Sequence, residues 1–215
     1  MGGGASTGVR AAVGAASAGD LRAALAGLPE DARLKLKAAL TERTCPASSP
    51  SACEVLRKIH SGEKTCAAFV AELLDRIQAV DGPINSCVAV ADRAALLARA
   101  AEVDAKVAAG QPLRALEGLP MVVKLNIDTR GMLTSASTLA LKDHVPAKSA
   151  PAWQRLEDAG ALCIAKTNMP ELACAVNGYS PLHGHCWNPH APGFSAGGSS
   201  SGTAAAIAAG LAPCG

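Results

Sequence analysis

Apolar positions in the first half of the folded region recur at helical intervals. Val55, Leu56 and Ile59 fall on one helical face, and Ser51 stands where a cap would receive the amide of Glu54. Thr65 opens a second run, with Phe69, Leu73, Leu74 and Ile77 on one face, and Ala94 to Ala108 is a third, ended by Gly110. Between them, Cys87 to Val90 reads as a strand. The pattern then changes. Pro120 to Val123 and Ala161 to Ala165 are apolar runs of strand length, while Ala150 to Asp158, closed by Gly160, and Thr203 to Leu211 read as helices. Strand–helix–strand alternation behind a helical layer predicts an α/β fold: an N-terminal helical layer plus the first strands of a mixed β-sheet covered by helices.

The chain before this region has a different character. Residues 1–18 are mostly Gly, Ala and Ser with a single Arg, a composition that predicts a disordered tail. The opening Met1-Gly2-Gly3-Gly4-Ala5-Ser6 fits the N-myristoylation pattern at Gly2, although a plain flexible tail is the simpler reading. Residues 20–43 predict two short helices joined at Pro29, and residues 44–50 a linker. The expected organisation is a tail (1–18), a helical appendage with its linker (19–50), and one domain (51–215).

Composition narrows the function. Twenty basic residues nearly balance eighteen acidic ones, and only five aromatics occur, so neither a basic face nor a base-stacking surface for nucleic acid is expected. Eight cysteines without a Cys-x-x-Cys pair or a hydrophobic leader read as reduced thiols of a cytoplasmic protein. No apolar run approaches the ~20 residues of a membrane span.

Three places carry candidate chemistry. In Ser195-Ala196-Gly197-Gly198-Ser199-Ser200-Ser201-Gly202-Thr203, glycines and hydroxyls precede a helix, whose free N–H groups suit an anion or a developing oxyanion. A glycine turn capped by Ser201 or Thr203 explains the same residues equally well, and a phosphate loop would need a lysine after Gly202. Lys124 ends an apolar strand. In a dry pocket it would lose its charge more readily and serve as a base; otherwise it reaches solvent. His183, His185, Cys186 and His190 have the types for a zinc site, but the prolines and Gly184 around them make an irregular loop, and no metal is expected. Lys166, Asn168 and Glu171 read as surface polar residues.

Gly197-Gly198-Ser199-Ser200-Ser201-Gly202-Thr203-Ala204-Ala205-Ala206-Ile207 resembles the Gly/Ser-rich core of the amidase signature family, the Ser–cis-Ser–Lys amide hydrolases. Gly118-Leu119-Pro120-Met121-Val122-Val123-Lys124 is similar to that family's lysine-bearing strand, and Asn126 to Met132, Ala165 to Glu171 and Asn188-Pro189 follow in the family's order. The resemblance runs from about Ser51 to Gly215. It implies hydrolysis of a small-molecule amide through an acyl-serine, without metal or organic cofactor. Lys124 would be the base, and Ser199, after a cis peptide bond, the serine bridging it to the nucleophile. Gly197, Gly198, Ser200 and Ser201 would contact substrate. Leu125 departs from the Asp common at that position. The family's nucleophile falls past Gly215, so these 215 residues alone are expected to be an inactive, incomplete amidase domain. The alternatives are a non-catalytic binding module for amides or anions, and a fragment without function.

Overall fold

A computed structural model describes residues 49–215, together with Gly27 and Pro29. The tail, the Gly2 motif and the paired helices of 20–43, those two residues apart, lie outside the described residues.

Three helices open the domain, and each starts on a side-chain cap. Ser51 Oγ accepts the Glu54 amide at 3.2 Å to start α1 (Ala52–His60), and Thr65 Oγ1 accepts that of Ala68 at 3.2 Å to start α2 (Cys66–Val80). After β1 (Cys87–Val90), α3 (Arg93–Ala108) begins one residue before the apolar pattern suggests, because Asp92 caps it through the Ala95 amide at 2.8 Å. The Asp104 carboxylate of α3 accepts the amides of Cys66 and Ala67 at 2.6 and 3.0 Å, placing a negative charge on the α2 N-terminus.

The sheet follows. β2 (Pro120–Lys124) leads through α4 (Pro151–Asp158) to β3 (Leu162–Thr167), which lies beside β2 and parallel to it. β1 flanks β3 on its other side, antiparallel, giving the order β1-β3-β2 and the mixed sheet that was expected. A two-stranded hairpin, β4 (Tyr179–Ser180) with β5 (Gly184–His185), precedes α5 (Ser201–Ala208).

All six residues of β3 are buried, as a parallel strand covered on both faces requires. One face meets Val55, Ile59, Phe69, Leu73, Leu96 and Val103 of α1–α3 together with Ala205 and Ala206 of α5; Val122, Leu162 and Ile164 join that cluster. Val123 and Cys163 face a second, smaller cluster built on Trp153 of α4.

Three sequence expectations need correction here. β3 runs two residues past its apolar stretch, and Lys166 within it is fully buried, not a surface residue. Its ammonium donates to the Ile127 carbonyl, to Thr129 Oγ1 at 3.0 Å and to Thr134 Oγ1 at 3.3 Å, and burial pulls its pKa down to about 8. The register between β2 and β3 shifts between Met121 and Val122, so strict alternation does not tell which way Lys166 points. Asn168 is likewise buried: its side-chain amide donates to the carbonyls of Asn85 at 3.0 Å and Gly184 at 3.4 Å, and its Oδ1 accepts the Met169 amide at 2.8 Å. Glu171 is exposed, as expected.

The described cysteines Cys53, Cys66, Cys87, Cys163, Cys174, Cys186 and Cys214 all carry free thiols. No helix among the described residues is long and apolar enough to cross a membrane.

Candidate active site

Lys124 sits at the C-terminal end of β2, and Ser199 in the loop that leads into α5. The two residues, 75 positions apart, meet: Lys124 Nζ donates to Ser199 Oγ at 2.8 Å. The peptide bond between Gly198 and Ser199 is cis.

Contacts at the C-terminal ends of β2 and β3 bring the loop there. Lys124 is paired with Thr167 across the sheet, and Thr167 Oγ1 shares a hydrogen bond of 2.7 Å with Thr203 Oγ1 in the first turn of α5. The Gly202 amide donates to the Asn168 carbonyl at 2.9 Å. Gly202 has no room for a side chain: a Cβ there would lie 2.3 Å from the Asn168 nitrogen and 2.4 Å from the Ser86 oxygen. That close approach of backbones seats α5 and fixes Ser199 just upstream of it.

Lys124 is half-buried and has no ion-pair partner among the described residues. Burial lowers its pKa from the ordinary lysine value, since desolvation disfavours the ammonium. Leu125, where the family commonly has Asp, is fully buried and donates its amide to the Thr167 carbonyl at 3.1 Å. Beside Lys124 opens a mainly apolar cavity of about 260 Å³, walled by Met121, Ile127, Trp153 and Leu156 and reached by Ser200 and Thr203.

The remaining candidates are placed as follows. Gly197 has a φ of +79°, and Gly198 packs on the backbone of Ala175 and Val176. Ser200 is exposed and is the residue before α5, making no side-chain cap; the helix starts at Ser201, two residues earlier than Thr203. Ser201 is buried, with its hydroxyl directed at the Asn168 carbonyl at 3.4 Å. Neither Ser201 nor Thr203 therefore acts as the cap of a simple glycine turn. The histidines of the loop diverge. His183 Nε2 shares a hydrogen bond of 3.1 Å with Ser135 Oγ, and burial lowers its pKa; His185 packs against Tyr179 and Trp187; Cys186 is buried, its thiol pushed up to about 12. Among the described residues no three His, Cys, Asp or Glu side chains gather as metal ligands would.

Sequence reasoning missed the buried loop Thr134–Thr138. Ala136 and Ser137 take left-handed φ values of 47° and 57°, the Ala136 amide donates to the Leu125 carbonyl at 3.3 Å, and the Ala136 carbonyl accepts the Leu172 amide at 2.9 Å. The loop thus lies directly behind Lys124. No glycine or asparagine marks it, so its conformation had no signal.

Known proteins resemble this chain in sequence and fold. The amidase family profile matches residues 68–215. A glutamyl-tRNA(Gln) amidotransferase subunit of Salinibacter ruber is 40% identical over 162 residues, covering 75% of this chain and 31% of its own; its counterpart in Agathobacter rectalis is 39% identical over 161. Among solved structures, the native peptide amidase of Stenotrophomonas maltophilia superposes with a TM-score of 0.71 at 34% identity, over 78% of this chain and 35% of that one. This chain thus spans about a third of the length of the relatives it matches. With the profile covering most of the described residues and the Lys124–Ser199 pair in place, the chain belongs to the amidase signature family.

Proposed function

We propose that this site hydrolyses the carbon–nitrogen bond of a small-molecule amide through an acyl-serine intermediate, with Lys124 as base and Ser199 as proton bridge. The contact of 2.8 Å between Lys124 Nζ and Ser199 Oγ supports this reading, in a setting that lowers the lysine's pKa and offers it no carboxylate. In the neutral amine form, Lys124 takes the Ser199 hydroxyl proton while Ser199 takes one from the attacking serine. That serine bonds to the amide carbon. The proton then returns through Ser199 to the departing nitrogen as the C–N bond breaks, and water releases the acyl group by the same relay. The attacking serine would be a residue outside 1–215. Gly197, Gly198 and Ser200 would line the substrate side, with Ser201 contributing its backbone N–H at the start of α5. The near-balanced charge of the chain speaks against direct nucleic-acid contact.

Two measurements test this. Titration of ε-labelled lysines by NMR is expected to place Lys124 below the ordinary 10.5; a value at or above it would remove the proposed base. Residues 1–215 assayed alone on aryl and alkyl amides are expected to show no turnover. Turnover that disappears in both Lys124→Ala and Ser199→Ala would overturn the placing of the attacking serine elsewhere.

A further inference from the structure

The chain has five aromatic residues, and their distribution is uneven. Phe69 and Trp153 are core residues, 7% and 2% exposed. The other three, Tyr179, Trp187 and Phe194, are not in the core, and all fall in the segment that runs into the Gly197–Ser199 loop; Tyr179 is 45% and Phe194 65% exposed. Partly exposed aromatic rings gathered at one place call for an occupant more than rings scattered singly do.

Their rings are ordered. His185 stacks on Trp187 with centroids 4.7 Å apart and planes 25° apart, and also meets Tyr179 at 5.0 Å with a tilt of 51°. The backbone beneath is held rigidly. Asn85 Nδ2 donates to the carbonyls of His183 at 2.7 Å and His185 at 2.9 Å, and Asn168 holds the Gly184 carbonyl. Asn168 also accepts the Gly202 amide, so one residue positions both the aromatic hairpin and the helix behind Ser199. Trp187 bridges directly to Ser195, the Ala196 amide donates to the Cys186 carbonyl at 3.2 Å, and Ser195 Oγ accepts the Gly197 amide at 3.0 Å. From Ser195 to Ser199 is four residues, at most about 14 Å of chain.

We propose that Tyr179, His185 and Trp187 form a stacking platform for a planar aromatic group of the amide substrate. This rests on the amidase reading of the site and adds its substrate class. A planar ring gains offset-stacking or edge contacts that a saturated ring of equal size does not.

The test compares benzamide and 2-naphthamide with cyclohexanecarboxamide, by calorimetry and by the part of the tryptophan emission that Trp187→Phe removes. The aromatic amides are expected to quench Trp187 and to bind roughly three- to tenfold tighter than the saturated one. Trp187→Leu should abolish that preference and Trp187→Phe should retain it, which separates stacking from a folding defect; circular dichroism of both variants checks the fold. Equal affinities in the wild type, no binding of any of the three amides, or an undiminished preference in a folded Trp187→Leu protein would each overturn the proposal. Ser199→Ala is expected to keep the preference. An ordinary Lys124 pKa with the preference intact would therefore sink the proton relay alone, and a lowered Lys124 pKa without the preference would sink the platform alone.

Discussion

Gly202→Ala is expected to lower the free energy of unfolding by at least about 3 kcal/mol, more than a surface or loop glycine would cost. The added methyl would stand 2.3 Å from the Asn168 nitrogen, 2.4 Å from the Ser86 oxygen and 2.7 Å from the Asn168 oxygen. All three are backbone atoms, so no side chain can swing away to make room. Relief requires separating α5 from the end of β3, which also costs the hydrogen bond from the Gly202 amide to Asn168 and the Thr167–Thr203 pair. Because Ser199 is held by the seat of α5, the same change should weaken its contact with Lys124. Gly197→Ala is the control: nothing lies within 4 Å of its Cβ position, and only its φ of +79° opposes a side chain, at a cost of about 1 kcal/mol. Urea unfolding of the two variants measures the difference. A Gly202→Ala protein within about 1 kcal/mol of the wild type would mean that α5 does not rest on β3 as described.

The sequence showed the elements more clearly than their meeting points. Ser51 and Thr65 are local caps, set by residues three apart, and they appear where the pattern put them. Lys124 and Ser199 are 75 residues apart, and nothing local joins them. Residue chemistry alone left Lys124 free to reach solvent; the ordered family motifs supplied the pairing. Lys166 shows the opposite failure. Its charge argued for the surface, but the groups that receive it, the Ile127 carbonyl and the hydroxyls of Thr129 and Thr134, are 32 to 39 residues away and do not announce themselves as partners. Buried polar groups are paired, and the pairing is long-range, so a sequence read locally places them outside. The aromatic ladder was invisible for a similar reason. The small number of aromatics argued only against a base-stacking surface for nucleic acid; it gave no sign that the fold brings Tyr179, His185 and Trp187 together.

Glu117 carries the second large expectation: the stability it contributes should vanish in acid. It lies just before β2, at the end of the strand opposite Lys124, and only 2% of its side chain is exposed. Its carboxylate receives Lys106 Nζ at 3.0 Å, Arg114 Nη2 at 2.8 Å, and Arg114 Nε. Its backbone carbonyl is bonded by His60 of α1 at 2.9 Å, and Arg114 reaches on to the Asp158 carbonyl at the end of α4. Glu117 thus joins α1, α3 and α4 at the base of the sheet. Foremost through its hydrogen bond with Arg114, its carboxyl is held well below the usual value of 4.5, at about 2. The sign follows from proton binding. Between these two values the unfolded chain takes up a proton that the folded one refuses, so stability falls as pH drops from about 5 to about 2 and is fully present above. The shift corresponds to about 3 kcal/mol. Glu117→Gln should lose most of that stability at pH 7 and show a flatter acid limb in urea unfolding. Five strand residues, about 16 Å, separate this cluster from Lys124, so the same variant should leave the Lys124 pKa where it is. An acid limb unchanged by Glu117→Gln would show that other carboxylates govern the acid transition, and a shifted Lys124 would show that the two ends of β2 are coupled.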